Sequence, residues 1–191
     1  MSSPGDFIGL CWVVLWIYWL ISALSAKKSV RSSSWWSSGI IRLVIFFAVV
    51  FLIRLIASRP FLADIARRAH GPGGVAATFG VIVCVAGVAL AIWARVHIGR
   101  NWGMPTSLRE EPELVTSGPY AYVRHPIYSG LLLAMLGSAL AASPNWLALF
   151  AACFVYFLYA ARVEEGHMTK QFPDVYPAYQ QRTKMLIPFL L

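Results

Sequence analysis

The sequence predicts an all-α integral membrane protein of about five transmembrane helices, the last two forming a C-terminal hairpin that runs out into a polar, cytosolic tail. Three observations carry that prediction. Of the 191 residues, 59% are hydrophobic and only 13% are charged, where a soluble domain carries about a quarter charged residues. The apolar residues gather into five runs separated by loops, with lengths suited to crossing a bilayer. The net charge of +8 comes from Lys and Arg in short loops at the ends of those runs, which suits orientation in a membrane better than a nucleic-acid face. The expected organisation is one membrane domain, with a three-helix part over 1–94 and a loop, hairpin and tail over 95–191.

The first run, 7–24, follows Asp6 rather than a basic stretch and has no convincing small-residue cleavage site after it, so it reads as a span and not a secretory signal. Trp12, Trp16 and Trp19 recur along it at helical spacing, an aromatic stripe for packing or for the interface. Lys27, Lys28 and Arg31 close it in a Ser-rich loop that ends at Trp35 and Trp36. A second span covers 39–57, with Arg42 and Arg54 near its ends, where long side chains can snorkel. A loop with Pro60, Asp64, Arg67, Arg68 and a Gly-Pro turn at 70–74 leads to the third span, 75–96. That span is rich in Gly, Ala and Val, which lets helices approach closely.

The stretch 95–123 is polar and is the longest internal segment outside the spans, a position where loops tend to carry function. The fourth and fifth spans, 127–142 and 146–161, are joined only by Ser143, Pro144 and Asn145 and so form an antiparallel hairpin. Both are near the lower length limit for a bilayer crossing. The tail, 162–191, is expected to be helical at first and broken at Pro173 and Pro177, ending in an apolar patch at 185–191 that returns to the membrane surface. Cys11, Cys84 and Cys153 fall inside apolar runs without metal-like spacing and read as small apolar residues. Five spans put the ends on opposite sides, and the basic bias places the N-terminus outside and the C-terminus in the cytosol.

Two polar knots stand out against this background. In the first, 118–130, a Gly-Pro turn, three tyrosines and Arg124-His125 crowd a helix start at Pro126. Proline suits a first helical turn, where its missing N–H is not needed, and such a start leaves backbone donors free for an anion. In the second, Glu164 and Glu165 lie where the fifth span leaves the apolar zone, a costly place for carboxylates without partners or water. As neighbours on a helix they point to different sides, so at most one is expected to face the first knot. Phe172, Tyr176 and Tyr179 continue the tail as one helical stripe ahead of Arg182. On chemistry alone, both an interfacial anchoring belt and a binding site fit the first knot. Five spans bring the two knots to the same membrane face. The chain has no Gly-rich phosphate loop, no His-Glu-x-x-His and no Gly-x-Ser-x-Gly, and its four histidines are scattered, so no metal site is expected.

Leu114-Val115-Thr116-Ser117-Gly118-Pro119-Tyr120, then Arg124-His125-Pro126-Ile127-Tyr128-Ser129-Gly130, then Glu164-Glu165 and Phe172-x-x-x-Tyr176-x-x-Tyr179 together resemble the isoprenylcysteine carboxyl methyltransferase family, whose wider relatives include phospholipid methyltransferases. The resemblance covers roughly 95–188, about the C-terminal half. It implies a small helical membrane enzyme using S-adenosyl-L-methionine, held between the Arg-His-Pro helix start and the tail. By position it assigns Leu114, Val115, Tyr120, His125, Pro126, Ile127, Tyr128 and Glu164 to the cofactor. Arg162, Glu165 and Arg182 are assigned to catalysis, the arginines as groups that steer an acidic acceptor. Pro112 and Met168 depart from residues common in that family.

The implied acceptor is an amphiphile entering from the bilayer, a carboxylate of an isoprenylcysteine-like or lipid molecule. Membrane lipids are the other expected partners, and nucleic acid is not one. Short loops and only five spans resemble the prokaryotic members, which implies a prokaryotic plasma membrane. Two rivals remain: an NADPH-dependent reductase related to sterol reductases, and a membrane module without activity.

Overall fold

The computed structural model describes residues 3–23, 74–101 and 113–188. Among these, the chain is built from five α-helices: α1 (Pro4–Ala23), α2 (Val75–Ile98), α3 (Pro126–Ala141), α4 (Asn145–Gln171) and α5 (Tyr176–Arg182), with 3-10 turns at Gly99–Asn101 and Gly118–Ala121. No strand occurs among the described residues. A single parallel bridge joins Val123 to Lys184. Helices α1, α2 and α4 are long and apolar enough to cross a membrane, and α3 is a shorter apolar helix. The protein is an integral membrane protein of all-α class, as its composition predicts. The second predicted span, 39–57, lies outside the described residues, as do the basic loop after α1 and the stretch 102–112.

The core of the fold is a seam between α2 and α3. A Cβ on Gly87 would lie 2.3 Å from the backbone nitrogen of Ala134, and one on Gly137 would lie 2.3 Å from that of Cys84. Gly80 and Gly130 are nearly as tight, at 2.7 Å from Ala141 and 2.6 Å from Ala91. As the numbers rise along α2 they fall along α3, so the helices are antiparallel. Glycines seven residues apart on each helix, Gly80 with Gly87 and Gly130 with Gly137, fall on one face and bring the backbones together. This is the close approach that the small-residue content of 75–96 predicts.

Helix α1 packs beside the seam and runs parallel to α2. Trp12 Nε1 donates to Ser138 Oγ at 3.0 Å, and ten residues later the carbonyl of Ser22 accepts from the buried Arg95 guanidinium at 2.7 Å. The Trp12 ring stacks on Trp146 of α4 at 5.0 Å, so the tryptophan stripe is a packing stripe there. Cys84 is buried, and Cys11 and Cys153 are half-buried free thiols.

Helices α3 and α4 form the predicted hairpin, and α4 runs on past Ala161 into the tail, which the sequence predicts to be helical at first. The 27 residues of α4 continue to Gln171, about 40 Å at 1.5 Å per residue, and overshoot the start of α3, level with Glu164 and Glu165, by about two turns. The run 162–171 keeps residues compatible with a helix, and Pro173 ends it. Pro177, expected to break the tail, instead occupies the first turn of α5, where proline costs no hydrogen bond. Phe172 therefore lies outside α5, and the expected single stripe is divided between the end of α4 and the two tyrosines of α5.

Candidate functional site

The site begins with a sharp turn. Gly118 has φ of 59°, a left-handed conformation that favours glycine, and a Cβ there would also displace the exposed His97 ring, 2.6 Å away. The 3-10 turn that follows buries Pro119 and Tyr120. Tyr120 is tied from both sides: its hydroxyl donates to the carbonyl of Ala94, and its own carbonyl accepts from the Tyr179 hydroxyl at 2.7 Å. The chain then runs extended through Val123 and Arg124 against the far end of the tail. The Arg124 amide donates to the carbonyl of Lys184 at 2.8 Å and the His125 amide to that of Met185 at 3.1 Å. His125 is the N-cap of α3, and Pro126 opens the helix. Ser129 Oγ adds a bond to the carbonyl of Leu186.

Around this start the two polar knots meet. His125 Nδ1 lies 3.4 Å from Glu164 Oε2, and its Nε2 lies 3.3 Å from Glu165 Oε1. The Tyr128 hydroxyl donates to Glu164 at 3.3 Å. Arg124 Nε donates to Glu165 Oε1 at 2.6 Å, and Gln180 Nε2 donates to Glu165 Oε2 at 3.0 Å. The rings of His125, Tyr128 and Phe157 stack in succession, at 5.4 and 4.6 Å between centroids.

The expectation that at most one glutamate faces the first knot is corrected here. Successive residues on a helix diverge, but the imidazole sits between the two diverging carboxylates and offers each a nitrogen. Arg124 is itself engaged with Glu165 and with the carbonyls of Gln180 and Thr183.

Electrostatics follows from burial and these contacts. Burial alone would lower the pKa of His125. The hydrogen bonds and charges of Glu164 and Glu165 outweigh it, and the imidazole is held above its ordinary value. Burial raises the phenols of Tyr120 and Tyr176, and that of Tyr179 to about 12. These tyrosines are therefore neutral donors at physiological pH, and none of them is an anionic base.

A cavity of about 310 Å³ opens beside the network, within the size range of small-molecule sites. Leu114, Val115, Tyr120, His125, Ile127, Tyr128 and Glu164, which the resemblance assigns to the cofactor, all line it. Pro126 is buried behind them as the helix start. Glu165 is buried and sits behind the lining, paired with Arg124 and His125. Arg162 and Arg182 are exposed and do not line the cavity, and the Arg182 guanidinium donates to the Ala178 carbonyl of its own helix.

Sequence reasoning missed several walls. Trp19 reaches the cavity from α1, Met168 from α4, and Asn101 with Glu113 close one side, the Asn101 amide donating to the Glu113 carboxylate at 3.0 Å. Asn101 and Glu113 lie inside the polar stretch already singled out as a candidate functional loop. For Trp19 there was no signal that separated it from the packing tryptophans. A second, more polar hollow of about 520 Å³ shares Asn101, Glu113, Leu114 and Val115 with the first and extends to His97 and Ser117.

The residues fit a cationic, partly aromatic ligand such as S-adenosyl-L-methionine. Tyrosine faces and the carboxylates of Glu113 and Glu164 suit a sulfonium and an ammonium, and Leu114, Val115, Ile127 and Leu131 give an apolar floor. Arg124 is the one arginine or lysine among the described lining residues, and its guanidinium is already bonded.

Comparison with known proteins agrees with this geometry. The family described as phospholipid methyltransferase matches residues 75–175. Protein-S-isoprenylcysteine O-methyltransferase B of Arabidopsis thaliana is 31% identical over 116 residues, 59% of either chain. Methanethiol S-methyltransferase 1 of Bradyrhizobium diazoefficiens is 35% identical over 79 residues, 41% of this chain and 27% of that one. This chain thus spans well under two thirds of these relatives. The fold matches that of the eukaryotic intramembrane Ras methyltransferase, isoprenylcysteine carboxyl methyltransferase, with a TM-score of 0.53 at 24% identity, over 84% of this chain and 54% of that one. The likeness to isoprenylcysteine carboxyl methyltransferases read from the motifs is therefore found again in sequence relatives and in fold. With the family pattern running from the start of α2 past the paired glutamates and into the tail, the chain belongs to the phospholipid methyltransferase family.

Proposed function

We propose that this protein transfers a methyl group from S-adenosyl-L-methionine to a nucleophilic oxygen, a carboxylate, of an amphiphilic acceptor that reaches the site from the bilayer. The observation that carries this reading is the meeting of the Arg-His-Pro helix start with Glu164 across one wall of a mostly apolar cavity at the end of the spans. When bound, the donor supplies an electrophilic methyl on a positively charged sulfur. In the transfer, the bond from acceptor oxygen to methyl carbon forms as the carbon–sulfur bond breaks, and the bonding pair leaves on sulfur. Opposite charges cancel along this path, so a site of low dielectric that excludes water favours it.

The chain's own groups bind and orient. Glu164, with Glu113 opposite, holds the cationic end of the donor. Tyr120 and the edge of Tyr128, whose faces are taken by His125 and Phe157, border its flat part, and the apolar floor keeps water away. A carboxylate acceptor needs no base, which agrees with a cavity whose tyrosines are neutral. The acceptor must instead be aligned with methyl and sulfur in one line. The exposed Arg162 and Arg182 act as surface charge that draws an anionic acceptor and do not touch the reacting atoms. We place the site on the cytosolic face of a prokaryotic plasma membrane, with the N-terminus outside.

The test uses purified full-length protein. S-adenosyl-L-methionine at about a hundred times its Kd stabilises the fold by about 2.7 kcal/mol and raises Tm accordingly, whereas NADPH leaves it unchanged. Glu164→Gln weakens donor binding about tenfold, the loss of one charge-assisted bond. Labelled donor incubated with a membrane extract passes its label to an amphiphile. A Tm shift with NADPH and none with S-adenosyl-L-methionine overturns the reading in favour of a reductase. Label appearing on a thiol or an amine overturns the carboxylate.

A further inference from the structure

The paired glutamates sit side by side in sequence, yet their surroundings differ. Glu164 faces the cavity. Glu165 is buried and accepts from donors on two other elements: Arg124 and His125 at the start of α3, and Gln180 in α5. Arg124 in turn donates from its other nitrogen to the carbonyls of Gln180 and Thr183. Those carbonyls close the C-terminal end of α5, where a cation meets both unsatisfied acceptors and the negative end of the helix.

Helix α5 has only seven residues, far too few to hold helical form alone. Nonetheless it supplies Tyr176 and Tyr179 to the cavity wall. Something must fasten it, and the contacts above are placed to do so. A buried carboxylate is tolerated when its oxygens are met by donors, and it demands those donors once buried. Docking of the tail and burial of Glu165 therefore require each other. The backbone pairing of Arg124 and His125 with Lys184 and Met185 extends the attachment beyond α5.

We propose that Arg124 and Glu165 are the positioning pair of a latch that fastens the tail, 176–186, over the helix start and so completes the donor cavity. Glu164 binds; Glu165 holds the wall in place. The inference rests on the donor site proposed above for its effect on affinity, and on geometry alone for its effect on the tail.

Glu165→Gln keeps the shape and removes the charge. In the full-length protein, amide hydrogen exchange over 176–186 is expected to quicken about tenfold or more, since a hydrogen bond to a charged group is lost. Exchange in the α2–α3 seam is expected to stay as in the wild type, and the Kd for S-adenosyl-L-methionine to rise about tenfold by the same loss. The double variant Arg124→Gln with Glu165→Gln is expected to lose less than the sum of the two single variants, because the two residues share one contact while each keeps partners of its own. The proposal is overturned by unchanged exchange in the tail, by an equal rise throughout the seam, or by additive losses in the double variant. A loosened tail with unchanged donor affinity overturns the latch as a device for the cavity. If the wild type binds no S-adenosyl-L-methionine, the proposed function falls, and tail exchange in Glu165→Gln still decides whether the latch exists.

Discussion

Along α3, two regions are held together in opposite ways. In the seam with α2, Gly80, Gly87, Gly130 and Gly137 contribute only backbone, and the contact exists because side chains are missing. At the helix start, Arg124, His125, Glu164 and Glu165 make the contact, and it exists because of what their side chains carry. The first arrangement tolerates no added volume but is indifferent to charge. The second tolerates replacements of the same shape and fails when charge or donor geometry changes. Damage to the seam should therefore appear as loss of fold, and damage to the start as loss of binding in a folded protein.

The sharpest way to break that comparison is Gly137→Ala. Alanine in a helix interior gains about 1 kcal/mol over glycine from propensity. Here its Cβ would fall 2.3 Å from the Cys84 backbone nitrogen, and backbone cannot rotate aside as a side chain can. Overpacking a close-packed core costs about 1–3 kcal/mol, occasionally more, and a clash with three backbone atoms falls at the upper end of that range, so the clash wins and the net effect is destabilising. Thermal unfolding in detergent should show a large fall in Tm. A Tm at or above wild type would mean that the helices are not in backbone contact.

A second test concerns the charged start alone. The folded-state pKa of His125 is raised above its ordinary 6.5, so its imidazolium contributes stability that is fully present below pH 6.5. That contribution is lost as pH rises through the raised, folded-state value. Wild-type Tm should fall across that window, beginning above pH 6.5, and His125→Gln should remove this part of the pH dependence. Gly137→Ala should retain it at lower overall stability, since the seam holds no titrating group that faces His125. An identical pH profile in wild type and His125→Gln would show that the imidazole is not charged between the glutamates.

The same contrast explains how much of the molecule could be read from sequence. Long apolar runs and a hairpin link of three residues give spans and pairing directly, because burial in lipid needs a pattern visible in one dimension. The small residues of 75–96 announced close packing in the same way. The cavity was legible where the motif is local, at Leu114, Val115 and the run from Tyr120 to Tyr128. It was not legible where contact depends on angles around a helix. Glu164 and Glu165 were expected to part company, yet an imidazole inserted between them takes both, and this follows from where α3 starts relative to α4. Trp19 looks like Trp12 in sequence and differs only in which end of α1 meets the cavity. Gln180 and Thr183 carry no motif at all, because Arg124 uses only their backbone carbonyls and Glu165 an amide that many residues could offer.

The smallest expected effect falls within the seam region itself, where hydrogen bonds at Ser138 interrupt an otherwise apolar contact. Trp12 donates to Ser138 at 3.0 Å, and Ser138 Oγ donates onward to the carbonyl of Ala134 at 2.8 Å. Trp12→Phe removes the first bond and leaves the serine hydroxyl satisfied by its own helix, so no buried donor is orphaned. Phenylalanine also keeps a ring to stack on Trp146. Hydrogen bonds between membrane helices are worth about 0.6 kcal/mol on average, well below the cost of the glycine clash. Tm should therefore fall slightly and donor affinity not at all, since Trp12 stands away from the cavity while Trp19 lines it. A loss as large as that of Gly137→Ala would show that α1 is fastened by polar contact, and that packing without side chains is confined to α2 and α3.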